Sequence, residues 1–223
     1  MKKLLASAAI LLGVAGFTTQ SEAAPIPVEL VLAIDGSGSI SAADFLLQKN
    51  AYINVLSSSL ITTDGNIAIG VIQFDDALQT VYALQVIDSA AKKTALITAL
   101  TNMTQLGGLT AIGDAINLAA SWLGALSHAD SNELIDVSTD GFSNSGANAA
   151  TASNNAGAAG IAVNCLGVGP NADCSFNDGE GFDILASSFA DFETALTQKI
   201  AQETGVPEPA TLALLGLGLA GVG

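Results

Sequence analysis

Short apolar segments alternate along this chain with segments of helical periodicity, and this alternation is the strongest constraint on its fold. Four β-branched, apolar segments read as buried strands, and a fifth reads as an edge strand. These are 28–34 (VELVLAI), 66–74 (NIAIGVIQF), 133–138 (ELIDVS), 161–169 (IAVNCLGVG) and the edge segment 80–85 (TVYALQ). The intervening segments predict helices: one from Ser41, and others within 88–103, 107–126, 146–160 and 189–204. Such connections are long enough for right-handed crossovers between parallel strands. The sequence therefore predicts a single α/β domain, a doubly wound and mainly parallel sheet flanked by helices.

Polar clusters follow several of the predicted strands. The stretch AIDGSGSIS (33–41) ends the first strand, a Gly-rich loop precedes the helix within 107–126, and STDG follows the strand at 133–138. In doubly wound sheets, ligands bind outside the carboxyl ends of the strands, where the strand order reverses. Two acids and three hydroxyls would meet there: Asp35, Ser37, Ser39, Thr110 and Asp140.

These side chains are hard oxygen ligands, which suit Mg²⁺, with Mn²⁺ and Ca²⁺ as alternatives. A plain turn remains the alternative reading of the first cluster, because Gly, Asp and Ser are common turn residues. Asp114 is expected either to hold the metal-binding loop in place without contacting the metal itself, or to stabilise the start of its helix through the helix dipole. Asp75 and Asp76 are expected to form a turn between two strands.

The three clusters resemble those of the von Willebrand factor type A (VWA) domain. The shared features are D-x-S-x-S after the first strand, a Thr in a Gly-containing loop, and T-D-G after the fourth strand, and the likeness extends over 28–204. It implies a metal-ion-dependent adhesion site (MIDAS). Ser37 and Ser39 would ligate through their hydroxyls, and Asp35, Asp140 and Thr110 would ligate directly or through water. An acidic side chain of a partner would complete the shell.

Within that family, ELIDVSTDGFSNSG and TAIGDAI are most similar to a group of uncharacterised bacterial exported proteins. The resemblance therefore implies an exported adhesion or ligand-binding module. Two other functions stay open: a structural protein of the extracellular matrix or envelope, and a metal-assisted hydrolase.

Charge and motif content narrow the range of partners and activities. The chain has 21 acids, six lysines and no arginine, for a net charge of −15. Such a surface disfavours nucleic acids, because phosphate binding needs Lys and Arg. The single histidine, His128, follows an apolar helical segment, and no G-x-S-x-G elbow occurs. The hydrolase would lack a general base, so we expect no enzymatic activity.

Both ends of the chain carry targeting features. A basic MKK and an apolar segment predict a signal peptide over 1–23, which leaves the VWA-like domain at 24–205. Residues 206–223 resemble the PEP-CTERM sorting signal through Pro207, Glu208 and Pro209. That resemblance implies processing by an exosortase-type protease, transient membrane contact, and a place in the envelope or outside a Gram-negative cell. The apolar part, 211–223, is shorter than a bilayer-spanning helix and lacks a basic end, so we expect a clipped or degenerate signal.

Cys165 and Cys174 are the only cysteines and lie nine positions apart. In an exported protein such a pair can form a disulfide, although spacing alone does not decide whether it does. A zinc site is disfavoured because His128 is the only histidine available to join them.

Overall fold

The computed structural model describes residues 28–126, 131–177 and 181–205. Within these ranges the chain forms a six-stranded sheet with five helices. In chain order the elements are β1 (Val28–Asp35), α1 (Ala42–Ser57), β2 (Ile67–Phe74), β3 (Leu78–Val86), α2 (Ala90–Asn102), α3 (Ile112–Leu126), β4 (Asn132–Thr139), α4 (Ala149–Ala158), β5 (Ala162–Val168), β6 (Asp183–Ala186) and α5 (Phe192–Thr204). The predicted signal peptide, the sorting segment and His128 lie outside the described residues.

The strand order is β3-β2-β1-β4-β5-β6. All neighbouring strands are parallel except β2 and β3, which pair antiparallel. This confirms the predicted doubly wound, mainly parallel sheet. The order reverses between β1 and β4, where Ile34 pairs in register with Ser138. The loops that follow these two strands therefore leave the sheet side by side.

Side chains of β1 alternate between two apolar cores, one on each face of the sheet. Leu30 and Leu32 pack in the core that includes α1, α2 and α5. Val31 and Ala33 pack in the core that includes α3 and α4. Burial on both faces explains why this strand is nearly continuous in apolar residues, as central parallel strands are.

Two features depart from the sequence predictions. Strand β6 was not predicted, because its four residues, DILA, are too short and too exposed to give a strand pattern. The edge strand is longer than predicted, since β3 extends over Leu78–Val86. Among the described residues, no helix combines the length and apolar character needed to cross a bilayer.

A cluster of three charged side chains lies buried between β4 and α5. The Lys199 ammonium forms ion pairs with Asp136 and, at 2.9 Å, with Glu203. The Asn164 amide donates a further hydrogen bond of 2.8 Å to Glu203. Two acids share one base, so burial, together with the charge of Asp136, raises the pKa of Glu203 to about 7.

We predict that Glu203→Gln changes how stability depends on pH. The raised pKa means that the folded state holds this proton more tightly than the unfolded chain does. The corresponding stability is present below about pH 4.5 and is lost as the pH rises towards 7. The Gln amide has no such proton to lose. The free energy of unfolding of the variant should therefore rise relative to that of the parent protein by about 1–3 kcal/mol between about pH 4.5 and 7.

Urea unfolding between pH 4 and 8 measures this difference. Glu193→Gln, in the exposed first turn of the same helix, controls for the loss of one carboxylate. A difference between the Glu203 variant and the parent that stays constant with pH would contradict the prediction.

Candidate metal centre

Asp35 is the last residue of β1 and is fully buried. The Ser37 amide donates to its Oδ1 at 2.8 Å, and the Thr139 hydroxyl donates to its Oδ2 at 2.7 Å. Thr139 ends β4, so the side-by-side ends of the two central strands position this carboxylate. Both of its oxygens are held by neutral donors.

Hydroxyl groups connect this strand end to Asp140. The Oγ atoms of Ser37 and Ser39 lie 3.1 Å apart, in hydrogen-bond contact. Ser39 Oγ donates to Asp140 Oδ1 at 2.7 Å, across 101 positions of sequence. Four of the five predicted ligands, Asp35, Ser37, Ser39 and Asp140, thus belong to one connected cluster. Ser41 is not part of it, because its side chain caps α1 by accepting from the Asp44 amide.

The loop that carries Thr110 lies against the loop that follows β1. The Gly107 amide donates to the Gly36 carbonyl, and the Gly38 amide donates to the Gly108 carbonyl, both at 2.8 Å. A Cβ atom on Gly38 would lie only 2.7 Å from the Gly107 carbonyl oxygen, so the close approach requires glycine there. Thr110 is thereby brought to the same edge of the sheet, and ligation by its hydroxyl stays a prediction.

The segment after Asp140 holds the Thr110 backbone in place. The Thr110 amide donates to Asn144 Oδ1 at 2.8 Å, and the Asn144 amide donates back to the Thr110 carbonyl at 2.9 Å. Asp114 accepts from the Ala147 amide at 3.0 Å. Asp114 therefore holds the segment that is bonded to Thr110. It also lies in the first turn of α3, so both roles that the sequence suggested for it stay predictions.

Asp75 has a second role that the sequence analysis missed. It lies in the predicted turn, where its Oδ1 accepts from the Ala77 amide. Its Oδ2 also accepts from the Gly108 amide at 2.8 Å, and its carbonyl accepts from the Ala111 amide at 2.9 Å. Asp75 thus holds the Thr110 loop on both sides. The available signal was its position directly after β2, at the same sheet edge as the other clusters.

The Asp35 carboxylate is electrostatically uncompensated. Burial, together with the nearby charge of Asp140, raises its pKa to about 6, against the opposing effect of hydrogen bonds from Ser37 and Thr139.

Every lysine in the described part of the chain is engaged elsewhere. Lys49 and Lys93 donate to backbone carbonyls, Lys92 pairs with Asp88, and Lys199 lies in the buried cluster. No lysine in residues 28–126, 131–177 or 181–205 therefore pairs with Asp35 or Asp140, and the chain has no arginine.

Cys165 and Cys174 are joined by a disulfide in the structure. With Asp183 they form the one cluster of three or more acid, cysteine or histidine side chains in the described residues whose ligand atoms lie close together. Because the bond consumes both thiols, this group offers no thiolate ligand. The bridge instead fastens the loop whose Asp173 amide donates to the Gly141 carbonyl, next to Asp140.

The fold is similar to that of VWA-type domains in solved structures. One similar structure is proximal thread matrix protein 1 from the mussel byssus with a zinc-occupied MIDAS motif. It is 20% identical, with a TM-score of 0.69 over 80% of this chain and 48% of that one. A von Willebrand factor type A protein from Catenulispora acidiphila is 18% identical, with a TM-score of 0.68 over 80% of this chain and 43% of that one.

The pilus adhesin SpaC from Lactobacillus rhamnosus GG, in its open conformation, is 16% identical. Its TM-score is 0.64 over 80% of this chain and 30% of that one. The chain thus spans about half the length of the mussel protein and less of the other two, and at these identities the likeness concerns the fold alone.

Residues 25–207 match the family described as "Protein of unknown function (DUF1194)", and the chain belongs to that family. Residues 205–223 match the PEP-CTERM protein-sorting motif, which marks an exported protein. No relative is found among curated proteins.

We predict that Asp75→Ala loosens the Thr110 loop. The substitution leaves the Gly108 amide without its acceptor, and an unpaired, part-buried amide costs about 1–3 kcal/mol. Hydrogen exchange followed by mass spectrometry should show faster exchange in peptides covering 105–112. Asp76→Ala removes the same charge from the neighbouring position and is the matched control. Equal effects of the two substitutions would show that charge, rather than the hydrogen bond, matters.

Proposed function

We propose that this protein is an exported, non-enzymatic binding module that recognises an acidic group of a partner through a divalent cation. The observation that carries the proposal is the buried Asp35 carboxylate. It lies at the strand-order reversal, is linked through hydroxyls to Asp140, and has no cationic side chain beside it in the described residues. A dication would supply the missing positive charge. Buried charges are normally paired or bound to metal.

The donor set fits a hard cation. The ligands would be five side chains that offer only oxygen: Asp35, Ser37, Ser39, Thr110 and Asp140. Two carboxylates, hydroxyls and retained water suit the octahedral preference of Mg²⁺, and Mn²⁺ accepts the same ligands. The existing hydrogen bonds are compatible with this, because Ser39 donates its proton to Asp140 and keeps its lone pairs.

The bound cation would supply a Lewis-acidic position that an external carboxylate can occupy. The chain's own residues would hold the cation rigidly at the sheet edge, since the loops are tied to one another through Gly36, Gly38, Asn144 and Asp75. The described part of the site contains no histidine, cysteine or lysine that could serve as a general base. A binding role therefore fits better than metal-assisted hydrolysis.

The sorting motif supports a place at the cell surface. We propose that residues 1–23 are removed on export and that residues 24–205 form the binding domain. Residues 206–223, with Pro207, Glu208 and Pro209, would be read by an exosortase-type protease during brief membrane contact in a Gram-negative envelope. A structural matrix role is the second candidate, because one similar structure is a matrix protein of the mussel byssus.

We predict that Asp140→Ala abolishes binding of Mg²⁺ and Mn²⁺. The substitution removes one of the two carboxylates and the acceptor of the Ser39 hydroxyl, so affinity should fall by at least about 100-fold. Calorimetric titration of the metal-free protein with Mn²⁺ measures the effect. Asp64→Ala, an exposed acid in the loop before β2 at the opposite edge, is the control. Unchanged titration of the Asp140 variant would refute the metal site. If the protein binds envelope material equally well with and without a chelator, the structural matrix role is favoured.

A further inference from the structure

An open groove with a volume of about 520 Å³ lies between the end of α1 and one face of α2. It is lined by Ser57, the last residue of α1, and along α2 by residues from Ala90 to Thr101. We call it the α2 groove. Its lining residues are mainly threonine, serine and lysine, a composition that predicts a polar surface. Most of the surface of the groove is nevertheless apolar.

The hydroxyl groups of the lining are bonded to the protein's own backbone. Thr98 and Thr101 each donate their hydroxyl proton to the carbonyl four residues earlier in α2, at 2.8 Å. Ser57 donates its hydroxyl proton to the Asn54 carbonyl at 2.9 Å. Serine and threonine in helices commonly bond in this way. These protons are already used, so the groove offers a ligand chiefly methyl groups and carbon chains.

The ammonium group of Lys93 is also engaged. It donates to the carbonyls of Ser58 and Ile61 at 2.6 and 2.7 Å, which directs its charge at the loop after α1. The aliphatic part of Lys93 and the side chain of Ile97 are left to line the groove. Such a surface favours an apolar occupant that carries no charge and needs no hydrogen bonds.

The exported chain proposed above contains an apolar segment of matching chemistry. Residues 211–223 (TLALLGLGLAGVG) have no charged side chain. Within them, Leu212, Leu215, Leu219 and Val222 recur at the spacing of one helix face. We propose that the α2 groove is the docking site of this segment within the same molecule. This proposal is independent of the metal site.

Helix α5 ends at the edge of the sheet where the parallel strands begin. Gln202 and Glu203, near the end of the helix, line a cavity together with Asn132 and Ala162. These last two residues are the first residues of β4 and β5. The chain that follows Gly205 therefore starts from this edge, which lies opposite the candidate metal centre.

The nearer end of the α2 groove lies at the same edge. Val28 pairs with the first residues of both β2 and β4, and β3 ends beside Ala68 of β2, so that α2 begins there. Helix α1 packs against both α2 and α5. The groove therefore lies less than two helix spacings from α5, which is about 16–20 Å. The connection from Gly205 to Thr211 can span about 20–22 Å, so the segment can reach the groove.

Length and charge fit as well. Residues 211–223 would form a helix of about 20 Å, and the face of α2 between Ala90 and Thr101 extends over about 17 Å. The chain's net charge of −15 does not oppose the contact, because the segment is uncharged. Docking between two copies would bring two negative surfaces together. A short connection also gives the segment of the same molecule a high effective concentration at the groove.

Photo-crosslinking of the exported chain, residues 24–223, tests the proposal. Leu215 is replaced by benzoylphenylalanine, the dilute protein is irradiated, and the attachment sites are mapped by mass spectrometry. We expect an adduct within one molecule, at residues 57–63 or 90–101. Thr98→Glu places a charge in the groove and should lower the yield of this adduct at least about tenfold. Ala95→Glu, at an exposed position of α2 that does not line the groove, is the matched control and should leave the yield unchanged.

A second variant, Leu219→Asp, keeps the test independent of the stability of α2. It lies in the segment itself and should lower the yield as much as Thr98→Glu does. An adduct elsewhere on the domain, or no adduct, overturns the proposal. A covalent dimer overturns it too, because the occupant is then a second copy. Equal yields from Thr98→Glu and Ala95→Glu, or an unchanged yield from Leu219→Asp, also overturn it.

Discussion

The hydrogen bond from Thr139 to the buried Asp35 carboxylate is the contact on which the rest of the site depends. It forms because β1 and β4 pair in parallel at the reversal of the strand order, so that their last residues lie side by side. Ser37 and Ser39 continue from one strand, and Asp140 continues from the other. A one-residue slip in this pairing would turn every side chain of β4 to the opposite face of the sheet. The two apolar cores, which fix the register, therefore also fix the position of the candidate ligands.

The central elements were predictable because each is buried on both faces and gives a strong local pattern. The continuous apolar, β-branched segments around β1, β2 and β5 are typical of interior strands. Strand β6 was missed for the opposite reason, since it has four residues at the edge of the sheet, and Leu185 is mostly exposed. It is a strand because it pairs with β5, and the local sequence pattern does not show that pairing.

The same distinction applies to the site. The proximity of Asp35, Ser37, Ser39 and Asp140 could be predicted because these residues follow strands whose ends must meet at one edge, and their role as metal ligands stays a prediction. Asp75 was identified only as a turn residue, because its bond to Gly108 spans 33 positions. The pairing of Cys165 with Cys174 was left open for a similar reason, since bridge formation depends on the distance between two backbones. Residues that support a site through long-range hydrogen bonds to backbone groups leave little trace in a single sequence.

The position of the end of α5 has a consequence for how the domain is displayed. Helix α5 ends beside the first residues of β4 and β5. The cluster of candidate ligands lies at the opposite edge, where β1 and β4 end. A domain tethered through whatever follows Gly205 would present the loops that carry the candidate metal ligands on the side away from the tether. The positions of the last helix and of the polar loops within the fold would by themselves give the domain this orientation.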